Sequence, residues 1–272
     1  MQIVETNTDE ILNENGVETT PCYKPFSSEK VMIGLSGGIN SMAVLCWLVE
    51  SKIEVKELHL FYAHFAEHSP DTFQFVADGI RYARKHFKNV KVKITSNSIL
   101  KMFRESKMIP HPMVSPCSRL LKIEPMALYC FENEIKFDLV GYVKHELKRR
   151  TERQQKHISL QMFEAQKLYP IGSFTDEWCF EIVMRHIGWY PKIYDIRDEK
   201  GKRIFKHNNC LPCKNMTLKD FEAVKLYYPE YYLIAIQLSK ELNKYWGRSE
   251  DDFYTSFGRD LGQETTCGVC RW

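Results

Sequence analysis

Three groups of residues in this 272-residue chain have the types and spacing to do chemistry. The first is Ser36-Gly37-Gly38-Ile39-Asn40-Ser41, set between a short apolar run and a longer one. Two adjacent glycines let the backbone turn until successive N–H groups point at one spot. A helix starting there adds partial positive charge, and the Ser36 and Ser41 hydroxyls can donate to phosphate oxygens. An isolated Gly-Gly is an ordinary turn; the flanking strand and helix make this hexapeptide a candidate phosphate loop. The second group is two C-x-x-C pairs, Cys210-Leu-Pro-Cys213 and Cys267-Gly-Val-Cys270. Together they complete a tetrahedral four-sulfur set, open to zinc or to a 4Fe–4S cluster. A redox dithiol is the rival for either pair alone. The third group is anion-seeking. Residues 144–156 form a basic run after a strand whose end should face a ligand, with Lys144, Glu146 and Arg150 as contacts and Lys122 as a further one. Such a run is otherwise a solvated face. Cys117, alone in a Pro-containing loop, is a sulfur carrier or an ordinary loop thiol.

The elements that must hold these residues alternate in type. Short apolar or alternating runs at 31–35, 57–62, 89–95 and 137–143 read as strands. Periodic stretches at 42–50, 71–87, 119–133 and 175–187 read as helices, the last opened by Thr175 with Asp176 and Glu177 in its first turn. That order predicts an α/β fold, an open parallel sheet with helices on both faces. Residues 1–28 form a polar, acidic leader. From about 190 the pattern changes to short, aromatic-rich, Cys-containing segments, so 29–190 reads as the nucleotide-binding domain and 191–272 as a small Cys-rich helical region holding the four-cysteine metal centre. His64 and His68 follow the second strand and read as surface histidines. Tyr227, Tyr228, Tyr231, Tyr232, Tyr245 and Trp246 read as core rather than as a base-stacking platform.

Composition narrows the classes. With 44% hydrophobic and 27% charged residues the chain is neither disordered throughout nor fibrous. No apolar run approaches the roughly 18–20 residues that cross a bilayer, and the amino terminus lacks the layout of a signal peptide. The expectation is a cytoplasmic protein with no membrane partner, in which nine cysteines are not disulfide staples. Residues 1–30 carry six acids and two bases, a net of −4, which leaves +7 on the remainder of a chain whose total is +3. A mildly basic body suits an anionic substrate.

Taken together the motifs resemble the PP-loop superfamily, whose signature is S-G-G-x-D-S after the first strand, and specifically the phosphoadenosine phosphosulfate (PAPS) reductase branch. Cys117-Ser-Arg-Leu-Leu-Lys122-Ile-Glu-Pro125 is similar to that branch's C-T-x-x-L-K-x-x-P, and Gly141-Tyr-Val-Lys144-His-Glu146-Leu-Lys-Arg-Arg150 to its G-x-R-x-x-E-S-x-x-R. The segment from Tyr169 to Trp178 resembles its Y-P-L-x-x-W-T-x-x-D-V-W. The matches run in order over residues 30–215. The resemblance implies a HUP-like sheet with ATP or a PAPS-like adenine nucleotide above its carboxyl ends, bound by Ser36, Gly37, Gly38, Asn40, Ser41, Gly141, Lys144, Glu146 and Arg150. It implies adenylation or sulfur transfer, with Asn40, Lys122 and Cys117 as candidate catalytic residues. It also favours a 4Fe–4S cluster over zinc on Cys210, Cys213, Cys267 and Cys270, magnesium as a companion ion, and a sulfur donor or nucleic-acid acceptor as partner. Sulfonucleotide reduction is one alternative; a non-catalytic nucleotide-binding component of an oligomer or larger assembly is another. Three departures stand out. Asn40 replaces the signature aspartate, Val143 replaces an arginine, and the chain ends without the E-C-G-x-H of the reductases proper.

Overall fold

A computed structural model describes residues 26–108, 116–147, 165–211, 213 and 215–247. The leader up to residue 25, and the predicted site residues Arg150, Cys267 and Cys270, lie outside the described residues. In chain order the elements are β1 (Lys30–Gly34), α1 (Ile39–Glu50), β2 (Glu57–Phe65), α2 (Thr72–His86), β3 (Val90–Asn97), α3 (Ile99–Ser106), α4 (Glu124–Glu132), β4 (Phe137–Leu139), β5 (Gln166–Leu168), α5 (Asp176–His186), α6 (Leu218–Tyr227) and α7 (Pro229–Tyr245). The five strands form one parallel sheet in the order β3-β2-β1-β4-β5. Ile33 of β1 lies level with Leu60 of β2 on one side and Leu139 of β4 on the other. The chain thus moves outward from β1 to β3, then crosses back to β4, and the strand order reverses between β1 and β4.

Alternation along the strands explains the layers. Val31, Ile33, Leu58, Leu60, Tyr62 and Leu139 face the main core with α1, α2 and α5, whereas Met32 and Phe61 face Cys130 of α4 and Ile135. Helices therefore cover both faces, as the sequence predicts. Helix α1 is buried from Ser41 to Leu48 without a polar face, so it is a central support rather than an amphipathic cover. Gly79 lets α2 approach it closely, since a Cβ there would come within 2.5 Å of Met42 Cε.

Several elements differ from the sequence reading. Helix α1 begins at Ile39, inside the candidate loop. The expected helix over 119–133 opens with a wider π-turn, Arg119–Ile123, before α4. Strand β5, helix α3 and the 17-residue α7 were not anticipated. Beyond residue 190, Ile193, Tyr194, Phe205, Leu211, Met216 and Val224 join the same core as β1 and α1.

His68 is the clearest reversal. It is not a surface residue but 4% exposed, with Nδ1 3.3 Å from the Tyr62 hydroxyl, which also lies 3.1 Å from His64 Nδ1. Burial, with Lys122 nearby, pulls its imidazole down to about 3. The folded chain therefore holds a neutral ring that the unfolded chain protonates near pH 6.5, so stability is complete above that pH and declines as pH falls. Wild type should lose about 2 kcal/mol more unfolding free energy than His68→Gln between pH 6.5 and 5. Urea titrations at those two pH values measure the difference.

Candidate functional site

At the carboxyl end of β1 the loop 36–41 is braced from every side. Gly37 takes a left-handed backbone, φ 79°, and a Cβ there would come within 2.3 Å of Thr72 Cγ2; only glycine fits both conditions. Gly38 caps α1 without a side chain, and the first turn of α1 carries no acid. The first-turn amides of a helix have no intrahelical acceptor, so they and the dipole face outward as an anion site. One of them is claimed: Ile39 N–H donates to the Tyr194 hydroxyl at 3.2 Å, and Asn208 N–H donates to the same oxygen at 3.1 Å. Burial pushes the Tyr194 phenol up to about 12, so it stays neutral.

The Asn208 carboxamide ties the loop to α2. Its Nδ2 donates to the Gly37 carbonyl at 2.9 Å and to Thr72 Oγ1 at 2.8 Å, while Oδ1 accepts from Ser69 at 3.1 Å. The predicted serines divide their work. Ser36 is exposed, but Ser41 is 8% exposed and donates its hydroxyl to the Gly38 carbonyl at 3.0 Å while accepting from Ser36 N–H at 3.1 Å. Ser41 thus braces the turn, and the exposed Ser36 hydroxyl joins it, donating to Ser41 Oγ at 3.1 Å and accepting from Gly38 N–H at 3.3 Å.

The reversal point between β1 and β4 is where an open parallel sheet leaves a crevice above its carboxyl ends. Gly141, after β4, packs backbone to backbone on α1, for a Cβ on it would lie 2.8 Å from the Asn40 carbonyl. This contact brings Glu146 to the loop. Its Oε2 accepts from Asn40 Nδ2 at 3.2 Å and from Val143 N–H at 3.3 Å. Asn40 Oδ1 is buried and has no hydrogen-bond partner. The segment after β5 closes the same side: Tyr169 stacks on Tyr142 at 5.5 Å, and Phe174 accepts from Lys144 N–H at 3.0 Å. Asp176 lies there too, its carboxyl raised by burial against the pull of His145 3.9 Å away. Lys144 itself is exposed.

Ser36, Gly37, Gly38, Asn40, Ser41, Gly141 and Glu146 are therefore assembled at one point. Cys117 and Lys122 gather beside Cys210 at the end of β2. Cys117 packs in the cluster that contains Phe65 and the buried Cys210, and Lys122 Nζ lies 4.9 Å over the Phe65 ring. Burial pushes the Cys210 thiol up, opposed by Lys122, and Cys213, Glu67 and Cys117 act on it as well. Leu211 N–H donates to the Glu67 carbonyl at 2.6 Å, and the Glu67 carboxylate caps α3 through Ser98, Ile99 N–H and Leu100 N–H. Among the described residues no three His, Cys, Asp or Glu side chains are placed to hold a metal ion. Two of the four predicted sulfur ligands lie outside those residues, so what the fold presents is half of the set. Tyr194, Asn208, Thr72 and Ser69 were missed by sequence reasoning. The only local signal was the nearness of Asn208 to the first C-x-x-C.

No protein-family model and no curated protein matches this chain. Solved structures similar to it include the U34-tRNA thiolase NcsA from Methanococcus maripaludis with its 4Fe–4S cluster, at 13% identity and TM-score 0.47 over 86% of this chain and 76% of that one. Phosphoadenylyl-sulfate (PAPS) reductase from Candida auris is similar at 14% identity and TM-score 0.40, over 62% and 78%. NMN synthetase from Francisella tularensis is similar at 14% and 0.41 over 88% and 87%. By its own sheet order, with the glycine loop at the reversal point, the chain has the open parallel α/β architecture expected from its sequence.

Asn40→Asp would set a second carboxylate beside Glu146, where now an amide donates. Like charges at that distance disfavour each other unless a cation intervenes. In EDTA the variant should melt about 2–6 °C below wild type, a cost of about 1–2 kcal/mol, and magnesium should restore it while leaving wild type unmoved. Thermal melts with and without magnesium check this; an unshifted variant would mean that Glu146 does not face position 40.

Proposed function

We propose that this chain binds ATP or a related adenine nucleotide with its phosphates over the loop 36–41, and uses it for adenylation or sulfur transfer. The observation that carries this reading is the loop itself: a left-handed Gly37, an uncapped Gly38 and an acid-free helix start, fixed by Asn208 and Tyr194 at the reversal point of a parallel sheet. In adenylation an acceptor oxygen bonds to the α-phosphorus as the bond to the bridging oxygen breaks and pyrophosphate leaves. Preorganised amides of the α1 start, and the exposed Ser36 hydroxyl once turned from Ser41, would take up the charge on the departing phosphates. Glu146 holds Asn40 and Val143 N–H through Oε2; its proposed task is to orient the crevice wall.

Cys210 and Cys213 would hold one side of a four-sulfur centre completed by Cys267 and Cys270. Their thiol chemistry fits either metal form, and Lys122 favours the thiolate of Cys210. A 4Fe–4S cluster there would supply a thiolate-bound metal able to carry sulfur; zinc would clamp the tail. The second reading, a non-catalytic nucleotide-binding component, is favoured by one observation: the neutral Asn40 is already engaged by Glu146. Pyrophosphate release from ATP separates enzyme from binder, and sulfite release from PAPS identifies the reductase alternative.

Two outcomes test the assignments. At Gly38 a Cβ meets Ser36 Oγ at 3.3 Å and the Tyr194 hydroxyl at 3.4 Å, and the backbone is extended. Gly38→Val should therefore fold, yet fill the space of the phosphate and weaken ATP or PAPS binding at least a hundredfold by calorimetry. Unchanged affinity in the folded variant refutes the loop assignment. For the cysteines, Cys213→Ser and Cys270→Ser should each remove the metal, measured by elemental analysis and the visible spectrum after anaerobic purification. Full metal retention in either would break the shared-centre assignment.

A further inference from the structure

One edge of the sheet carries a concentration of charge that the nucleotide site does not use. Between Asp78 and Glu105 the chain contains no acidic residue. Arg84 and Lys85 stand in the last turn of α2, Lys88 in the turn that follows, and Lys91 and Lys93 on the edge strand β3. All five are exposed, and none has an acidic partner among the described residues, in contrast to Arg81, which pairs with Asp78. Val90 and Val92 pack against the main core on the α2 side of β3, so Lys91 and Lys93 emerge on the opposite face. The cations therefore wrap around the edge, at the amino-terminal end of β3, away from the loop 36–41.

We infer that this edge is a docking surface for the sugar-phosphate backbone of a double-stranded nucleic acid. Cations in a last helical turn complement the dipole, and lysines on an edge strand discourage strand addition. Those two effects explain one or two charges and leave the rest of the five, spread over both faces of the edge, without counter-charge. Lys91 and Lys93, two residues apart on one strand face, are separated by about 6.6 Å, comparable to the step between phosphates along one nucleic-acid strand. An acidic protein is the poorer match. Protein interfaces are depleted in lysine and centre on aromatic or aliphatic anchors, whereas Tyr82 and Phe87 here are half-buried against the core and only Ile94 is exposed beside the lysines. The exposed His86 ring is turned onto Tyr82, at 4.5 Å between centroids, and no exposed Phe, Tyr or Trp stands beside the lysines, which argues against unpaired strands, since those bind by base stacking. What remains is a backbone contact that is charge-driven, salt-dependent and indifferent to sequence. The inference goes beyond the proposed function and does not depend on it.

The test uses the full chain, with fluorescence anisotropy of a 20-base-pair RNA duplex (about two helical turns) and a DNA duplex of the same sequence, and with polyglutamate of equal charge as a third probe. Five phosphate contacts predict a slope of log affinity against log salt of about −4 to −5. Arg84→Glu, Lys85→Glu, Lys91→Glu and Lys93→Glu combined should weaken duplex binding more than tenfold and flatten that slope to about −1. A control reversing Lys200, Lys202, Lys225 and Lys244 matches the change in net charge and should bind like wild type. Circular dichroism melts confirm that both variants fold. Binding of either duplex, or of both, with this pattern supports the inference and tells RNA from DNA. It is overturned if neither duplex binds at low salt, if the edge variant binds as wild type does, or if polyglutamate binds as tightly with the same dependence on the edge. No nucleotide enters the assay, so failure of the ATP-binding reading leaves this result unaffected.

Discussion

One carboxamide sets the geometry of the crevice. Asn208 lies 171 residues from Gly37 in sequence, yet its Nδ2 holds the Gly37 carbonyl while its Oδ1 accepts from Ser69. A left-handed glycine is the most easily lost conformation in a turn, and a buried amide with three satisfied bonds is among the most costly groups to disturb. Placing the second against the first makes the loop a fixed receptacle instead of a flexible one. Everything else at the reversal point is arranged relative to it. Tyr194 holds the first amide of α1, α1 is buried almost all round, and Gly141 lets the β4 side close on Asn40.

Charge at this point is balanced differently from the motif pattern. The signature would place an aspartate at 40 and an arginine at 143; the chain has an amide and a valine, so one anion and one cation are absent together. Glu146 is left with neutral donors, Asn40 Nδ2 and Val143 N–H. The local net charge is thereby preserved while its separation is reduced, which lowers the field a phosphate would meet and keeps the cradle's shape. Asp176, raised by burial, and His145 stand at the rim of the same wall.

How much of this was legible in the sequence depended on the range of the cause. Strands β1 and β2 and helix α2 are announced by apolar runs and by periodicity, which are local. The loop 36–41 is legible for the same reason, because its glycines act within six residues. Strand β5 has three residues, two of them exposed, and pairing with β4 alone makes it a strand. Helix α7 carried a Pro at its start, and α6 a Thr217–Asp220 capping box; the aromatic clustering around them masked those signals. Tyr194, Asn208 and the burial of His68 have no local mark at all, since each is created by contact between distant segments. The gathering of Cys117 and Lys122 around Phe65 and Cys210 is of the same kind: motif order places residues along a chain, and only topology decides which of them meet.

The short stretch from Asn208 to Leu211 is pinned at both ends, by the Tyr194 hydroxyl at Asn208 N–H and by the Glu67 carbonyl at Leu211 N–H. Between those pins sit the amide that steadies the loop 36–41 and the sulfur of Cys210. A segment so short has no slack: rotation of its backbone that carries the sulfur toward a partner must turn the carboxamide away from Gly37, or be resisted by it. The cradle and the thiol are thus mounted on a single lever. On the proposed function, any free energy a nucleotide gained by shifting that lever would be felt in equal measure by a metal on the thiol, because linkage between two occupants of one body is reciprocal.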